Sequence, residues 1–354
     1  MSEIITSELN EDKINLGATH DELRLYDGLV TPISEDLLIL SDKHKQQIEK
    51  YTEKAASKYG DQAGRPEETF AFLEHGVPAL VVRVDCTINN GEIIPYEMED
   101  SPSGQGITDT IHRSIGGVGI KNAILGHYDS TIGQIPHIIV SNQRSHGTDD
   151  QLIVGYENYS YGADTKKLEE DALVIVKSIP GHPASHQPYI HLQERAVAPL
   201  TTEGNKSYAE RIGDITAVSH ESELLLNENG ELRSQVLKSR IGSMAMGVSI
   251  YLEPSDRKKF GKRGIVTATK LKSNLDTYTQ DLGGGLTQEF APPIQTENPE
   301  GRSNAILRIF VLLEKDNGTP NKIKAEAIGG CYVARPELIV HGAANSVGGA
   351  VMVE

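Results

Sequence analysis

The chain has 354 residues, 38% of them hydrophobic, with 34 Lys plus Arg against 50 Asp plus Glu and a formal net charge of −16. That is enough apolar material for two or three compact lobes, while the negative excess repels nucleic acid and anionic membrane and argues against both as partners. No window approaches the ~18 consecutive apolar residues of a membrane span.

The start, MSEIITSELNEDK, has neither a basic end nor an apolar run, so a soluble, cytoplasmic protein is expected. Two cysteines, Cys86 and Cys331, lie far apart in apolar runs without CxxC spacing. They read as buried core thiols of a reducing compartment.

Residues 1 to about 30 are polar and aperiodic and read as an arm. The run SEDLLILSDKHKQQIEKYTEKAASKYG, from Ser34 to Gly60, has a Ser-x-x-Leu start, helix formers throughout and a terminal Gly, which predicts one long helix. Gly64 to Gly76 predicts a second.

Val81 to Thr108, VVRVDCTINNGEIIPYEMEDSPSGQGIT, reads as a hairpin carrying acids. Asn90-Gly91 supplies the positive φ of a tight turn. Strand periodicity puts Arg83 with Asp85, and Glu97 with Glu99, on common faces. Carboxylates so close repel, and a divalent cation or an arginine relieves this. Asp85, Glu97 and Glu99 suit Mg²⁺ held against a nucleotide, with Arg83 toward the phosphates. The same charges also suit the wet face of an edge hairpin, and the residues alone leave both readings open.

Asp109 to His127 predicts a helix interrupted at Gly116-Gly117. Apolar β-rich runs at 135–143 and 171–182, alternating with helical segments, predict an α/β lobe of parallel character. His182, His186 and His191 follow within ten residues, but their spacing matches no zinc pattern and Pro183 and Pro188 break any helix aligning them, which favours a polar loop. A helix is expected from Asn205 in NKSYAERIGDITA.

QVLKSRIGSMAMGVSIYL, at 235–252, reads as strand, loop, strand, with Lys238 at a strand end and Gly242 and Gly247 in a loop of small residues. That arrangement is able to cradle phosphate oxygens, although most such hairpins bind nothing. In LTQEFAPP, Gln288-Glu289-Phe290 precedes a rigid turn and offers acceptors to an adenine amino group, or forms an ordinary edge strand blunted by proline. The C-terminal block turns at Asp316-Asn317-Gly318 between two strands, the first carrying Arg308. Arg335 and Asn345 are expected in loops beyond the second.

Together, RVD…NNGEIIPYEMEDSPSGQG, VLKSRIGSMAMGV and LTQEFAPP resemble the ATP-grasp ligases, over about residues 75–354. That family's metal hairpin reads Arg-x-Asp, a turn, then Glu-x-Asn, so Glu99 stands where asparagine is usual. Here the hairpin precedes the lysine strand, which looks like the circularly permuted branch similar to glutathionylspermidine synthases.

The resemblance implies an α/β protein with α+β lobes: a circularly permuted ATP-grasp fold with a central Rossmann-like, pre-ATP-grasp lobe. The expected divisions are 1–75, an arm with helices; 76–130, the metal-binding part; 131–200, the α/β lobe; and 201–354, the nucleotide lobe with the C-terminal strands. It implies ATP and Mg²⁺ as cofactors, metal ligands Asp85, Glu97 and Glu99, and catalytic Arg83, Lys238 and Arg308. Nucleotide contacts would come from Lys206, Lys238, Gly242, Gly247, Gln288, Glu289 and Phe290. The implied reaction joins a small-molecule or peptide carboxylate to an amine through an acyl-phosphate. The rival is an inactive ATP-grasp-like binding protein for a peptide or small molecule. Oligomeric state, homo-oligomer included, is left open.

Overall fold

The computed structural model describes residues 4–6, 14–15, 19–26, 29–62, 80–99, 102, 104–140, 147–155, 157–161, 173–177, 220–221, 223–239, 247–260, 264–281, 285–298, 301–316, 322–340 and 346–354. In chain order the first elements are β1 (Ile4–Thr6), β2 (Ile14–Asn15), β3 (Thr19–Tyr26), β4 (Leu29–Leu40) and α1 (Asp42–Gln62). Then come β5 (Val81–Asn89), β6 (Glu92–Glu99), α2 (Gln105–Ser114), α3 (Lys121–Ile132), β7 (His137–Val140), α4 (Gly147–Val154), β8 (Tyr159–Tyr161) and β9 (Val174–Lys177). The last are β10 (His220–Glu221), β11 (Gln235–Ser239), β12 (Val248–Tyr251), α5 (Pro254–Phe260), α6 (Ala268–Asp281), β13 (Gly285–Glu289), β14 (Ile294–Asn298), β15 (Gly301–Lys315), β16 (Ile323–Arg335) and β17 (Val347–Val353).

The architecture is mixed α/β. Ten of the described strands form one sheet along the path β1-β4-β17-β16-β15-β14-β2, with β3 on β4, β5 on β15 and β6 on β5. A four-stranded sheet runs β10-β13-β11-β12, and a three-stranded sheet runs β8-β7-β9. β7 pairs in parallel with both β8 and β9, so the strand segments 137–140 and 174–177 within those two runs share a parallel sheet. Among the described residues no helix is long and apolar enough to cross a membrane.

The long helix begins later than its sequence predicts. Residues 34–40 complete β4, and α1 starts after Ser41, whose carbonyl accepts the Lys45 N–H at 3.0 Å. The Leu37–Leu40 run extends a strand, and Ser41-Asp42 supplies the cap. α1 then buries His44, Ile48, Tyr51, Thr52, Ala55 and Ala56 in one stripe. β17 pairs with β16 only over Gly330–Ala334, so the N–H groups of Ala325 and Ala327 turn to Glu53 and Glu49 of α1, at 3.3 and 3.1 Å. The helix thereby covers an otherwise open edge.

α6 was not foreseen, although Leu271, Leu275 and Tyr278 recur at helical spacing and pack with Leu237. Arg335 ends β16 instead of lying in a loop, and pairs with Glu337 at 2.8 Å. The helices expected at 64–76 and from Asn205, the His182/His186/His191 segment and Asn345 lie outside the described residues.

β15 positions the site because two strands share one of its edges. β14 pairs with it over Gly301–Ala305 and β5 over Leu307–Leu312. The link from β13 into β14, residues 290–293, therefore enters the large sheet beside β5, bringing the four-stranded sheet to the hairpin.

Candidate functional site

The β5–β6 hairpin closes through Asn90 and Gly91, with φ of 51° and 69°. Positive φ at both central residues is the geometry that matches strand twist, and Asn-Gly adopts it at least cost. The register pairs Arg83 with Glu99 and Asp85 with Glu97, and β15 sets Arg308 beside Asp85. Directly paired residues share a face, so all five side chains project from one side.

Arg83 is 3% exposed and holds the group together. Its Nε donates to Asp85 Oδ1 at 2.6 Å and its Nη2 to Asp85 Oδ2 at 3.1 Å. Nη2 also donates to Glu99 Oε1 at 2.7 Å. Burial works against the guanidinium charge, but Asp85 and Glu99 outweigh it and raise the Arg83 pKa further above its ordinary value. For Glu99 burial wins: it pushes the carboxyl up to about 7 against the pull of Arg83, with Asp85 and Glu97 pushing the same way. Arg308 Nε lies 3.7 Å from Asp85 Oδ2 and is buried without a hydrogen-bond partner among the described residues. It is a donor aimed at the cluster with bonding capacity in reserve.

The four-stranded sheet completes the site. Lys238 on β11 and Gln288 on β13 share a face, since Val236 pairs with Gln288 and Lys238 with Leu286. Lys238 Nζ sits 3.7 Å from Glu97 Oε2 and donates to the Tyr96 carbonyl at 3.1 Å. Gln288 Nε2 donates to the same oxygen at 3.3 Å. Residues far apart in the chain thus meet as three carboxylates, Asp85, Glu97 and Glu99, facing three cations, Arg83, Lys238 and Arg308.

The other sequence candidates distribute unevenly. Gly247 has φ +73°, and a Cβ there would lie 2.5 Å from Ser239 Oγ. Only glycine fits the close of that hairpin. Glu289 pairs with Arg233 instead of facing the cluster. The Phe290 N–H is taken by the Ser234 carbonyl at 3.1 Å, while its ring packs edge-on against Phe260 at 5.5 Å. Lys206 and Gly242 lie outside the described residues.

Among the described residues, no three His, Cys, Asp or Glu side chains group closely enough to hold a metal ion. Asp85, Glu97 and Glu99 still offer the oxygen-only donor set that Mg²⁺ takes. Arg83 and Lys238 hold those oxygens, so a divalent ion would bind in competition with them.

Sequence reasoning missed two features. One is the roof: Gly104, at the start of α2, lies close to Arg83 and Phe310, and Asp149 of α4 fixes it by accepting the N–H groups of Gly104, Gln105 and Ile107 at 2.6, 3.2 and 2.9 Å. On the buried side of α2, Gln105 Oε1 has no hydrogen-bond partner among the described residues. The other is a β-bulge in β6: Asp85 pairs with Glu97 but Cys86 with Pro95, leaving Tyr96 as the extra residue. Pro95 inside a strand was the available signal.

Fold and site together define a mixed α/β chain with a largely buried cluster of acids and bases where a mixed ten-stranded sheet meets an antiparallel four-stranded one. No family model matches the sequence, and no curated protein matches it. Among solved structures the chain is similar to a glutathione synthetase-like effector from Globodera pallida, with TM-score 0.43 and 12% identity over 89% of this chain and 88% of that one. It is also similar to a candidate gamma-glutamylcysteine synthetase from Methylobacillus flagellatus, with TM-score 0.42 and 10% identity over 83% and 82%. Likenesses this loose assign no activity to this chain.

Proposed function

We propose that the chain is an ATP-dependent carboxylate–amine ligase with a circularly permuted ATP-grasp arrangement. The observation that carries the reading is the convergence of Lys238 and Gln288 from one sheet on the Arg83–Asp85–Glu97–Glu99 face of the other. Phosphoryl transfer asks a protein mainly to position reactants and neutralise charge, and a cation-lined junction of two sheets suits that task.

In this reading ATP phosphorylates a substrate carboxylate to an acyl-phosphate and leaves as ADP. An amine then attacks the acyl carbon, phosphate departs, and an amide remains. Lys238 neutralises the nucleotide phosphates, and the reserve N–H of Arg308 meets the acyl-phosphate. Arg83 orients Asp85 and Glu99. Mg²⁺ arriving with the nucleotide would have to draw Asp85, Glu97 and Glu99 closer together, against Arg83 and Lys238, and would there neutralise phosphate charge. Gln288 and the Phe260–Phe290 pair offer adenine an amide and an apolar edge. Small-molecule or peptide acids and amines are the partners, and the two buried free cysteines accord with a cytoplasmic setting.

The direct test mixes the protein with ATP, Mg²⁺ and a panel of acids and amines, reading ADP release. Release dependent on both substrates and abolished by Glu97→Gln is expected. Absence of ATP binding by calorimetry in the presence of Mg²⁺ would sink the reading.

A second reading, an inactive relative that binds a peptide, is favoured by the occupied Phe290 N–H and the outward Glu289–Arg233 pair. Thermal shift separates the two: stabilisation by ADP and Mg²⁺ supports the ligase, and stabilisation by peptide alone supports the carrier.

A further inference from the structure

The bulge at Tyr96 does more than bend β6. An extra residue leaves its own backbone groups outside the local ladder, and the Tyr96 carbonyl instead accepts from Lys238 Nζ at 3.1 Å and Gln288 Nε2 at 3.3 Å. Lys238 and Gln288 are 6% and 5% exposed. The Tyr96 phenol donates to the Ala291 carbonyl at 3.1 Å, and Thr87, from the facing strand, donates to the Pro292 carbonyl at 3.0 Å. Ala291 and Pro292 belong to the link between β13 and β14. Four hydrogen bonds around one bulge therefore fasten the four-stranded sheet and its outgoing connection to the hairpin.

We infer that the Tyr96 bulge is a latch that competes with phosphate-bearing ligands for Lys238 and Gln288. A buried ammonium needs an acceptor, and here one amide oxygen and a more distant carboxylate serve. A ligand that takes both donors must offer more than that oxygen does. A polyphosphate does so through charge-assisted bonds, and a neutral amide or sugar does not. Entry then requires the hairpin and the four-stranded sheet to part, and the latch sets what that opening costs. The identity of the natural ligand rests on the nucleotide reading above, whereas the latch rests on the four bonds.

The double variant Thr87→Val/Tyr96→Phe removes two latch donors and leaves Lys238, Gln288 and Glu97 in place. Tyr96→Phe alone serves as the milder version should the double variant fold poorly. Two measurements are made on the full chain. Hydrogen–deuterium exchange of β11 and β13 is followed with no nucleotide added, and binding of ATP and of inorganic tripolyphosphate is measured by calorimetry.

Exchange in these segments is expected to quicken about tenfold in the double variant, with β15 and β16 unchanged, and both probes are expected to bind about tenfold more tightly. Unchanged exchange while ATP still binds overturns the latch and spares the nucleotide reading. Faster exchange with affinity unchanged or weaker overturns the competition. Tripolyphosphate binding that tightens in the variant while ATP binds neither protein supports the latch and removes the nucleotide reading. Failure of both probes to bind overturns both.

Discussion

The two sheets that meet at the site are built to different standards. The large sheet runs on β15 and β16, fifteen and thirteen residues long, and Leu307, Ile309, Val311 and Leu313 belong to its one extended core. The four-stranded sheet has strands of two to five residues. It rests on two small clusters, one around Leu237, Leu271 and Tyr278, the other around Ile250, Leu252 and Leu338. Buried apolar contact sets local stability, so the first sheet is the fixed half and the second is the half that opens at least cost. The acids and Arg83 stand on the fixed half and Lys238 and Gln288 on the yielding one, a division that suits a site which must grip and release.

Substitutions in each half sharpen the contrast. The largest loss is expected from Arg83→Met, which strands the buried Asp85 and the partly buried Glu99 without their guanidinium. About 4 kcal/mol should go, read as the shift in denaturant midpoint, with partial recovery in acid as the carboxylates protonate. Ile309→Ala, at a fully buried position on β15, should remove about 3 kcal/mol from the unfolding of the whole large sheet. Leu237→Ala, equally buried on β11, should cost about 2 kcal/mol and act locally. Exchange should quicken on β11 to β13 while β15 and β16 keep their protection. If β15 and β16 lose protection equally, the two halves unfold as one unit and the comparison breaks.

A pH slope tests the fixed half from another side. Glu99 has its carboxyl raised from 4.5 to about 7 in the folded chain, so the native state binds this proton more tightly than the unfolded one. Its contribution is fully present below pH 4.5 and declines as pH rises toward 7. Melting temperature measured from pH 4 to 8 should therefore fall with rising pH more steeply in the parent than in Glu99→Gln. Parallel curves would show that Glu99 ionises freely.

The hairpin was legible because its signals are local. A period of two fixes which side chains share a face, and Asn-Gly fixes the turn and hence the register. The convergence on Tyr96 was not legible: Lys238 and Gln288 reach it across 142 and 192 residues, and a backbone carbonyl leaves no mark in a sequence beyond Pro95 beside it. The start of α1 was misread because Leu37-Leu38-Ile39-Leu40 satisfies either period, and pairing with β17 decides for the strand. Arg308 is placed on its strand by the sequence, and its role there came only from the family resemblance. That it keeps an unused N–H depends on a 3.7 Å separation that no residue pattern encodes.

The chain's two cysteines mark opposite sides of the large sheet. Cys331 pairs with Arg308 on the site face and packs near Ile111 of α2, while Cys86 points into the main core. Both are buried with their thiols held protonated by burial, and the sequence contains no others. A thiol reagent thus meets a silent protein until something moves. Modification of Cys331 alone would time the lifting of α2 from the site, and modification of Cys86 would time rupture of the sheet, so the native sequence carries its own pair of clocks.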